Sequence, residues 1–405
     1  MDQSPSKSLG SVGWAVFLGC SWTWCIGMYL PALMIRDLGL WGYVVFAVPN
    51  VIGAAAMGWV LRSREASVDM VQAHRPACRA FSIVTIAFHA YWLAWIGTWT
   101  ARNIMLPWWT IAVVLGMAVL GLGVRACLKH DEPAKRMALV VWIISAGLLV
   151  ALTLSPATTP STVSIIADRS FSTDMLWLAP ASIFGFLLCP YLDLTFHRAR
   201  QGCATRTESK IAFGLGFGVF FFSMIVLTFL YAGPIVAMTD GDPETTAHVA
   251  PWIGVYLVAH LLIQLIFTVG AHSRELARKP VPDRWVFRGS VVFALAFGAA
   301  AVWVPRSFDM AGGEIGYRLF LSFYGLVFPT YVWLNMVDLR ERRLAEPTAM
   351  SLRVTFWTII IAAPFFFAGF ILRQEIMLVP GVAMILLAKA FVGRPVASEP
   401  LVLPI

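Results

Sequence analysis

Two residues within one stretch of this chain could move a proton inside an oily helix. Asp193 and His197 stand four positions apart near the end of Ala181–Ala199, ASIFGFLLCPYLDLTFHRA, whose first half is apolar enough to face lipid. Ionisable groups at membrane depth are costly, so they normally face a protein interior or a wet cavity and mark a pathway or site. Four residues apart on a continuous helix, the two would share a face and could pair. That spacing predicts proton coupling through the pair, or neutralisation of a cation by Asp193. The competing reading ends the helix early and leaves both groups at the headgroups beside Arg198 and Arg200. Gly185 and Pro190 interrupt the same stretch. A helix broken inside a bilayer persists only where its freed backbone groups line something other than lipid. Ala181–Ala199 is therefore expected to form half of a central binding site, with Gly185 and Tyr191 at its break.

The expected other half is Gly19–Gly27 in the first apolar segment, where Cys20, Ser21, Trp22, Thr23 and Trp24 put small, polar and aromatic groups at mid-span. Trp22 and Trp24 could attract an organic cation through their ring faces, although in a chain with 17 tryptophans packing is the ordinary alternative. His89 and His260 fall near the middle of their segments. A mid-membrane histidine can relay protons, because its charge changes near neutral pH, or it can bridge two helices as a neutral packing group. Tyr256, His260, Gln264, Thr268 and His272 follow one another at four-residue steps, and Ser82, Thr85, His89 and Trp92 form a second stripe. Two polar stripes on apolar helices predict a shared hydrated cavity, with Gln264 and Thr268 joining the histidines in ion coupling; hydrogen bonding between helices would give the same pattern without transport. Asn50 and Asn335 read as inter-helix hydrogen-bonding groups. Cys20, Cys25 and Cys189 fall near both breaks and would suit a soft metal. The six cysteines show no CxxC spacing, however, and small buried cysteines are common in cores, so no metal site is expected.

The elements that must position these groups are membrane helices. Of 405 residues, 59% are hydrophobic and only 13% charged, about half the charged share of a soluble domain. Runs of roughly 20 apolar residues, the length that spans the hydrocarbon, occur twelve times: 12–35, 41–61, 80–100, 107–127, 137–155, 175–198, 211–232, 251–271, 288–304, 316–337, 353–371 and 375–392. The loops test that map. Of 30 Lys and Arg, only Arg36, Arg102, Arg169, Arg306, Arg318 and Arg373 fall on one side. The other 24 lie on the opposite side, which predicts both termini in the cytoplasm of a cell (inner or plasma) membrane protein. Trp99, Trp108 and Trp109 suit an interfacial belt. Pro156–Asp174, rich in Ser, Thr and Pro, and acidic Thr239–Thr246 read as solvated connections. No soluble domain, P-loop or dinucleotide fingerprint is present, so an enzyme is not expected. Net charge +8 sorts with topology and not with nucleic acid. No cleavable signal peptide is expected, because the first apolar run is too long for a signal core.

Segments one to five start at 12, 41, 80, 107 and 137, and segments six to ten at 175, 211, 251, 288 and 316, offsets of 163 to 181 residues. Five helices is an odd number, so the second set would enter the membrane inverted. Inverted repeats with broken helices are common in secondary transporters. The expected fold is all-α: a single integral membrane domain, 1–405, with repeats at 12–155 and 175–337 and two additional peripheral helices at 353–392.

On Gly19–Gly27, Gly185–Pro190, the segment count and the orientation, the chain resembles the amino acid–polyamine–organocation superfamily, the leucine-transporter fold of ten core helices plus two. The resemblance spans the whole chain and rests on architecture. Segment one has no Gly-Ser-Gly and no Asp-Pro-Gly, and segment eight lacks the adjacent Ser/Thr pair of sodium-coupled members. Cys189-Pro190-Tyr191 stands where metal-transporting members place Met-Pro-His. The branch is therefore unassigned. The resemblance implies a secondary active transporter, working by alternating access, with a small polar or cationic solute as its partner besides the lipid bilayer. No bound cofactor is expected; the coupling ion would be H+ or Na+, and the visible acid and imidazole groups favour H+. Two other readings compete: a transporter-like membrane sensor or scaffold without flux, and a membrane haem protein with His89 and His260 as axial ligands.

Overall fold

The computed structural model describes residues 9–103, 128–154, 172–240, 251–277, 284–337 and 346–392. Expected segment 107–127, with Trp108 and Trp109, lies outside the described residues, as do most of the two outer connections. Among the described residues the chain is helical, apart from turns and an isolated bridge between Ser307 and Met310. Seven helices among the described residues are long and apolar enough to cross a bilayer: Cys25–Val60, Arg75–Trp99, Asp131–Ala151, Asp174–Leu192, Arg206–Gly233, Trp285–Trp303 and Ala349–Phe370. The protein is a multi-pass membrane protein.

The chain begins with α1 (Gly10–Trp22) and α2 (Cys25–Val60), separated by Thr23 and Trp24. Gly39 bends α2 at φ 66°, a backbone region that glycine enters without a Cβ clash. The corner at Gly39 falls between the expected segments 12–35 and 41–61, so α2 is two helices joined across a kink. Next come the short α3 (Arg64–Ala73), capped by Ser63, whose hydroxyl accepts Ala66 N–H at 3.1 Å, then α4 (Arg75–Asn103) and α5 (Asp131–Thr153). Helix α6 (Asp174–Leu188) gives way to a 3-10 turn (Cys189–Leu192) and then to α7 (Leu194–Gly202). The remaining helices are α8 (Arg206–Leu215), continued through a π turn (Gly216–Phe221) into α9 (Phe222–Asp240), then α10 (Pro251–Ala277), α11 (Arg284–Ala300), α12 (Gly312–Asn335), α13 (Ala349–Phe370) and α14 (Leu378–Ala388).

Burial sorts the interrupted helices inward. Every residue of α1 from Gly13 to Trp22 is buried, and so is α7 from Thr195 to Arg200. By contrast, α11 and α13 present Trp285, Val292, Phe293, Phe356, Trp357 and Ile361 outward, an apolar coat suited to lipid and not to water. Helix α2 packs on α6 and α9; α1 packs on α5, α8 and the π turn. A Cβ on Gly53 would collide with the carbonyl of Phe186, so the α2–α6 contact is backbone to backbone. That approach brings the two broken runs together.

Candidate functional site

At the first interruption the peptide groups freed by unwinding are taken up one by one. Thr23 leaves the helix at ψ 72° and Trp24 is extended at ψ 172°. Gly19 O accepts the Thr23 hydroxyl at 2.7 Å, Cys20 O accepts Thr268 Oγ1 at 3.2 Å, and Ser21 O accepts the Trp24 indole at 2.6 Å. Trp22 O accepts Trp24 N at 2.8 Å. Below the break, Cys25 O, Gly27 O and Met28 O accept Tyr317, Thr228 and Tyr231 hydroxyls. On the donor side, Cys25 N lies 3.4 Å from His89 Nε2, while His89 Nδ1 sits 2.7 Å from Thr85 O. A carbonyl accepts only, so Nδ1 carries the proton and Nε2 is the acceptor. His89 therefore caps the helix restart at Cys25.

The second interruption is not at Gly185. Helix α6 runs through Gly185 to Leu188, and Cys189 N still donates to Gly185 O. The turn changes only where Pro190 has no N–H to give to the preceding turn. Asp193 then adopts an extended conformation (φ −78°, ψ 110°) as the N-cap of α7, and its Oδ1 accepts both Thr195 N and Thr195 Oγ1 at 2.7 Å. This corrects the expected Asp193–His197 pair. Four-residue stacking requires both positions to be helical, and the cap is not. The His197 ring faces elsewhere, with Nε2 2.9 Å from Tyr191 O and Nδ1 2.9 Å from Ser67 Oγ. Tyr191 thus enters the break through its carbonyl, with His197 as its clasp.

Asp193 instead meets α10. Among the described residues its Oδ2 makes no hydrogen bond; it lies 3.8 Å from His272 Nε2, which makes none there either, and both side chains are fully buried. His272 Nδ1 is 3.1 Å from Ser82 Oγ on α4. Thr195 Oγ1 lies 3.2 Å from Ser21 Oγ, so the two interruptions touch at this point. Trp24 closes the space beside them. Its ring is 5.6 Å from His272, 5.7 Å from His89, 5.6 Å from Phe81 and 5.8 Å from Tyr324. Trp22 has a different post, donating to Asn50 Oδ1 at 2.7 Å, with its ring tilted against Phe196 at 4.9 Å between centroids. Asn335 bonds Thr355 and Ser351, between α12 and α13.

The ridge on α10 faces inward. His260, Gln264, Thr268 and His272 are all buried, and His260 Nε2, Gln264 Oε1 and His272 Nε2 each lack a hydrogen-bond partner among the described residues. Buried polar atoms are rarely left so, and three on one ridge make a polar seam beside α1. Tyr256 belongs to α10, but its side chain lies outside the description. His260 sits 2.5 Å from Ser145 on α5 and edge-on to Tyr231. Those neighbours differ from the neighbours of His89. Cys20 Sγ donates to Ala138 O, and Cys25 and Cys189 are buried as free thiols. Among the described residues no cluster of His, Cys, Asp and Glu has metal-ligating form.

A cavity of about 80 Å³ runs from Asp37, Arg318 and Glu375 along Leu178–Cys189 to Tyr324. Its mouth is braced by buried ions. Arg36 Nη1 donates to Glu314 Oε2 at 2.9 Å, Arg318 Nε to Glu314 Oε1 at 2.9 Å, and Arg36 Nε to Asp37 Oδ1 at 2.9 Å. Arg318 also pairs with Asp37, and Arg373 Nη2 is 3.3 Å from Asp37. Gly185 lines this cavity from inside its helix, with open space where a Cβ would stand.

Among solved structures, the chain is similar to Mhp1, a nucleobase-cation-symport-1 family transporter, in a closed conformation with bromovinylhydantoin bound. Identity is 13%, the match covers 98% of this chain and 97% of that chain, and the TM-score is 0.47. No protein-family model and no curated protein sequence matches the chain.

Three groups at the site carried no separate signal in the sequence. Thr195 and Tyr324 look like ordinary members of apolar segments, and Ser67 falls in a loop helix. His272 was visible as the last step of the α10 ridge, but nothing in its spacing pointed to Asp193, 79 positions away.

Proposed function

We propose that this protein is a secondary active transporter of a small polar or cationic solute, working by alternating access and coupled to protons. The observation that carries the reading is the meeting of two interrupted helices at Ser21–Thr195, beside a buried Asp193 whose Oδ2 makes no hydrogen bond among the described residues. In this reading Asp193 and His272 hold the coupling proton, and the Gln264–Thr268–His260 seam continues the polar path. Trp24 and Tyr324 wall the solute, beside Cys189. The solute is held by side chains, because the carbonyls of residues 19–22 already accept internal donors. Unwound carbonyls are the usual sodium ligands at such breaks, and their engagement supports H+ over Na+. His89 has both ring nitrogens engaged, which also speaks against the haem reading.

The finer architecture belongs to the same proposal: a leucine-transporter fold of twelve spans, 5+5 inverted plus two, within one domain. Each half begins with an interrupted helix, at Thr23–Trp24 and at Cys189–Asp193, as that repeat requires. The loop charges support an orientation with the positive-rich face in the cytoplasm of a plasma or inner membrane and the Asp37–Glu314 mouth outside.

The test is uptake into proteoliposomes of a panel of amines, amino acids and nucleobases under an imposed pH gradient or an imposed sodium gradient. A solute accumulated on the pH gradient, with accumulation lost in Asp193→Asn, supports the reading. Accumulation on sodium alone, or an unaffected Asp193→Asn, overturns the coupling assignment. Thermal stabilisation by a solute without any flux would favour the sensor reading.

A further inference from the structure

Beyond the transport site, the other face of the molecule carries a second cavity, of about 200 Å³, between α3, α4, α7 and α10. Three guanidinium groups line it: Arg75 and Arg79 from α4 and Arg198 from α7. Gln72 and Gln201 add amides, Val68, Val71, Leu194 and Leu276 make an apolar wall, and Glu275 is the acidic residue in the lining. Glu275 is committed to Arg198, accepting from its Nη1 at 2.9 Å, and Arg198 also pairs with Asp131. The His197 nitrogens are held by Tyr191 O and Ser67. Arg75 has no hydrogen bond or ion pair among the described residues, and it is four positions from Arg79 on one helix face. Like charges at that spacing destabilise a helix. Here they converge on one concave site.

We infer that this cavity binds a phosphate-type anion, held by Arg75 and Arg79 with Gln72. A guanidinium presents a planar fork of N–H donors that fits phosphate oxygens two at a time. The ligand is either a lipid phosphate headgroup or free phosphate. The apolar wall beside the arginines and the position among the positive loops suit the first, since basic pockets between membrane helices on that face hold anionic headgroups. The cavity joins α3 to α7, the half-helix that begins at Asp193. An anion there braces that half-helix against the loop helix on which Ser67 holds His197.

The experiment uses the full chain purified in a neutral detergent, with thermal unfolding followed by tryptophan fluorescence. Sodium phosphate is titrated against sodium chloride at matched ionic strength; in a second arm, phosphatidic acid is titrated against phosphatidylcholine in mixed micelles. A saturable rise in the unfolding midpoint is expected. Arg75→Gln with Arg79→Gln should weaken the apparent affinity at least about tenfold, while Arg288→Gln on α11 leaves it unchanged. A response to phosphatidic acid alone assigns a lipid headgroup, and a response to inorganic phosphate assigns the free anion. Should the double variant fail to fold, phenylglyoxal labelling of the wild type decides, since saturating ligand should block modification at Arg75 by peptide mass spectrometry. No saturable shift in either arm, a double variant that responds like the wild type, or unprotected Arg75 overturns the inference.

Discussion

Asp193 does two jobs that two substitutions can separate. Its Oδ1 caps α7 through two 2.7 Å bonds from Thr195, and its Oδ2 faces His272 at 3.8 Å with no hydrogen bond among the described residues. Alanine removes both. Each hydrogen bond to a charged acceptor contributes about 1.5–3 kcal/mol, and the carboxylate's own burial cost offsets part of the sum. Asp193→Ala should therefore lose about 2–4 kcal/mol, a little more than the usual cost of an N-cap, because two buried donors are orphaned at once. Asparagine keeps the Oδ1 acceptor, ranks with aspartate as a cap, and removes the charge from a buried site. Asp193→Asn should therefore stay within about 1 kcal/mol of the wild type and still lose pH-driven uptake. The assay pairs denaturant unfolding in mixed micelles with uptake by the same preparations. An asparagine variant as unstable as the alanine variant would refute the cap geometry. A stable asparagine variant that still concentrates solute on a pH gradient would refute the role of the charge.

Further substitutions address the surroundings. Glu314→Gln strands Arg36 and Arg318 in a buried network with Asp37 as the remaining acid, and should cost about 3–5 kcal/mol of unfolding free energy; a loss under 1 kcal/mol would mean that water reaches the cluster. His89→Leu orphans Cys25 N–H and should cost about 1–3 kcal/mol, whereas His89→Gln, which restores an acceptor, should recover most of it. Gly53→Ala, forced against the Phe186 backbone, should destabilise by about 1–3 kcal/mol. Gly185→Ala, in a helix interior with open space at the Cβ, should be neutral or stabilising by about 0.5–1 kcal/mol; a damaging Gly185→Ala would restore the break to that residue.

The sequence by itself determined the solvent, the helical class and where the chemistry is concentrated. Apolar runs of bilayer length leave few other folds, and polar residues placed inside such runs must turn inward, as the burial of Asp193, His89, His260, Gln264 and Thr268 shows. It also marked both interruptions, since Pro190 removes a donor, and Gly19–Gly27 mixes small, polar and aromatic groups. Tertiary structure decided which partner each polar atom took. Periodicity describes a residue's face only while the chain stays helical, and at Asp193 it does not, so the expected partner four residues on gave way to His272 on another helix. At His89 the spacing left a relay and a helix-bridging group both open, and the ring is found capping the backbone of another helix. Whether a freed peptide group or a ring nitrogen is already satisfied depends on helices brought alongside from distant parts of the chain, and spacing along one helix carries no record of them.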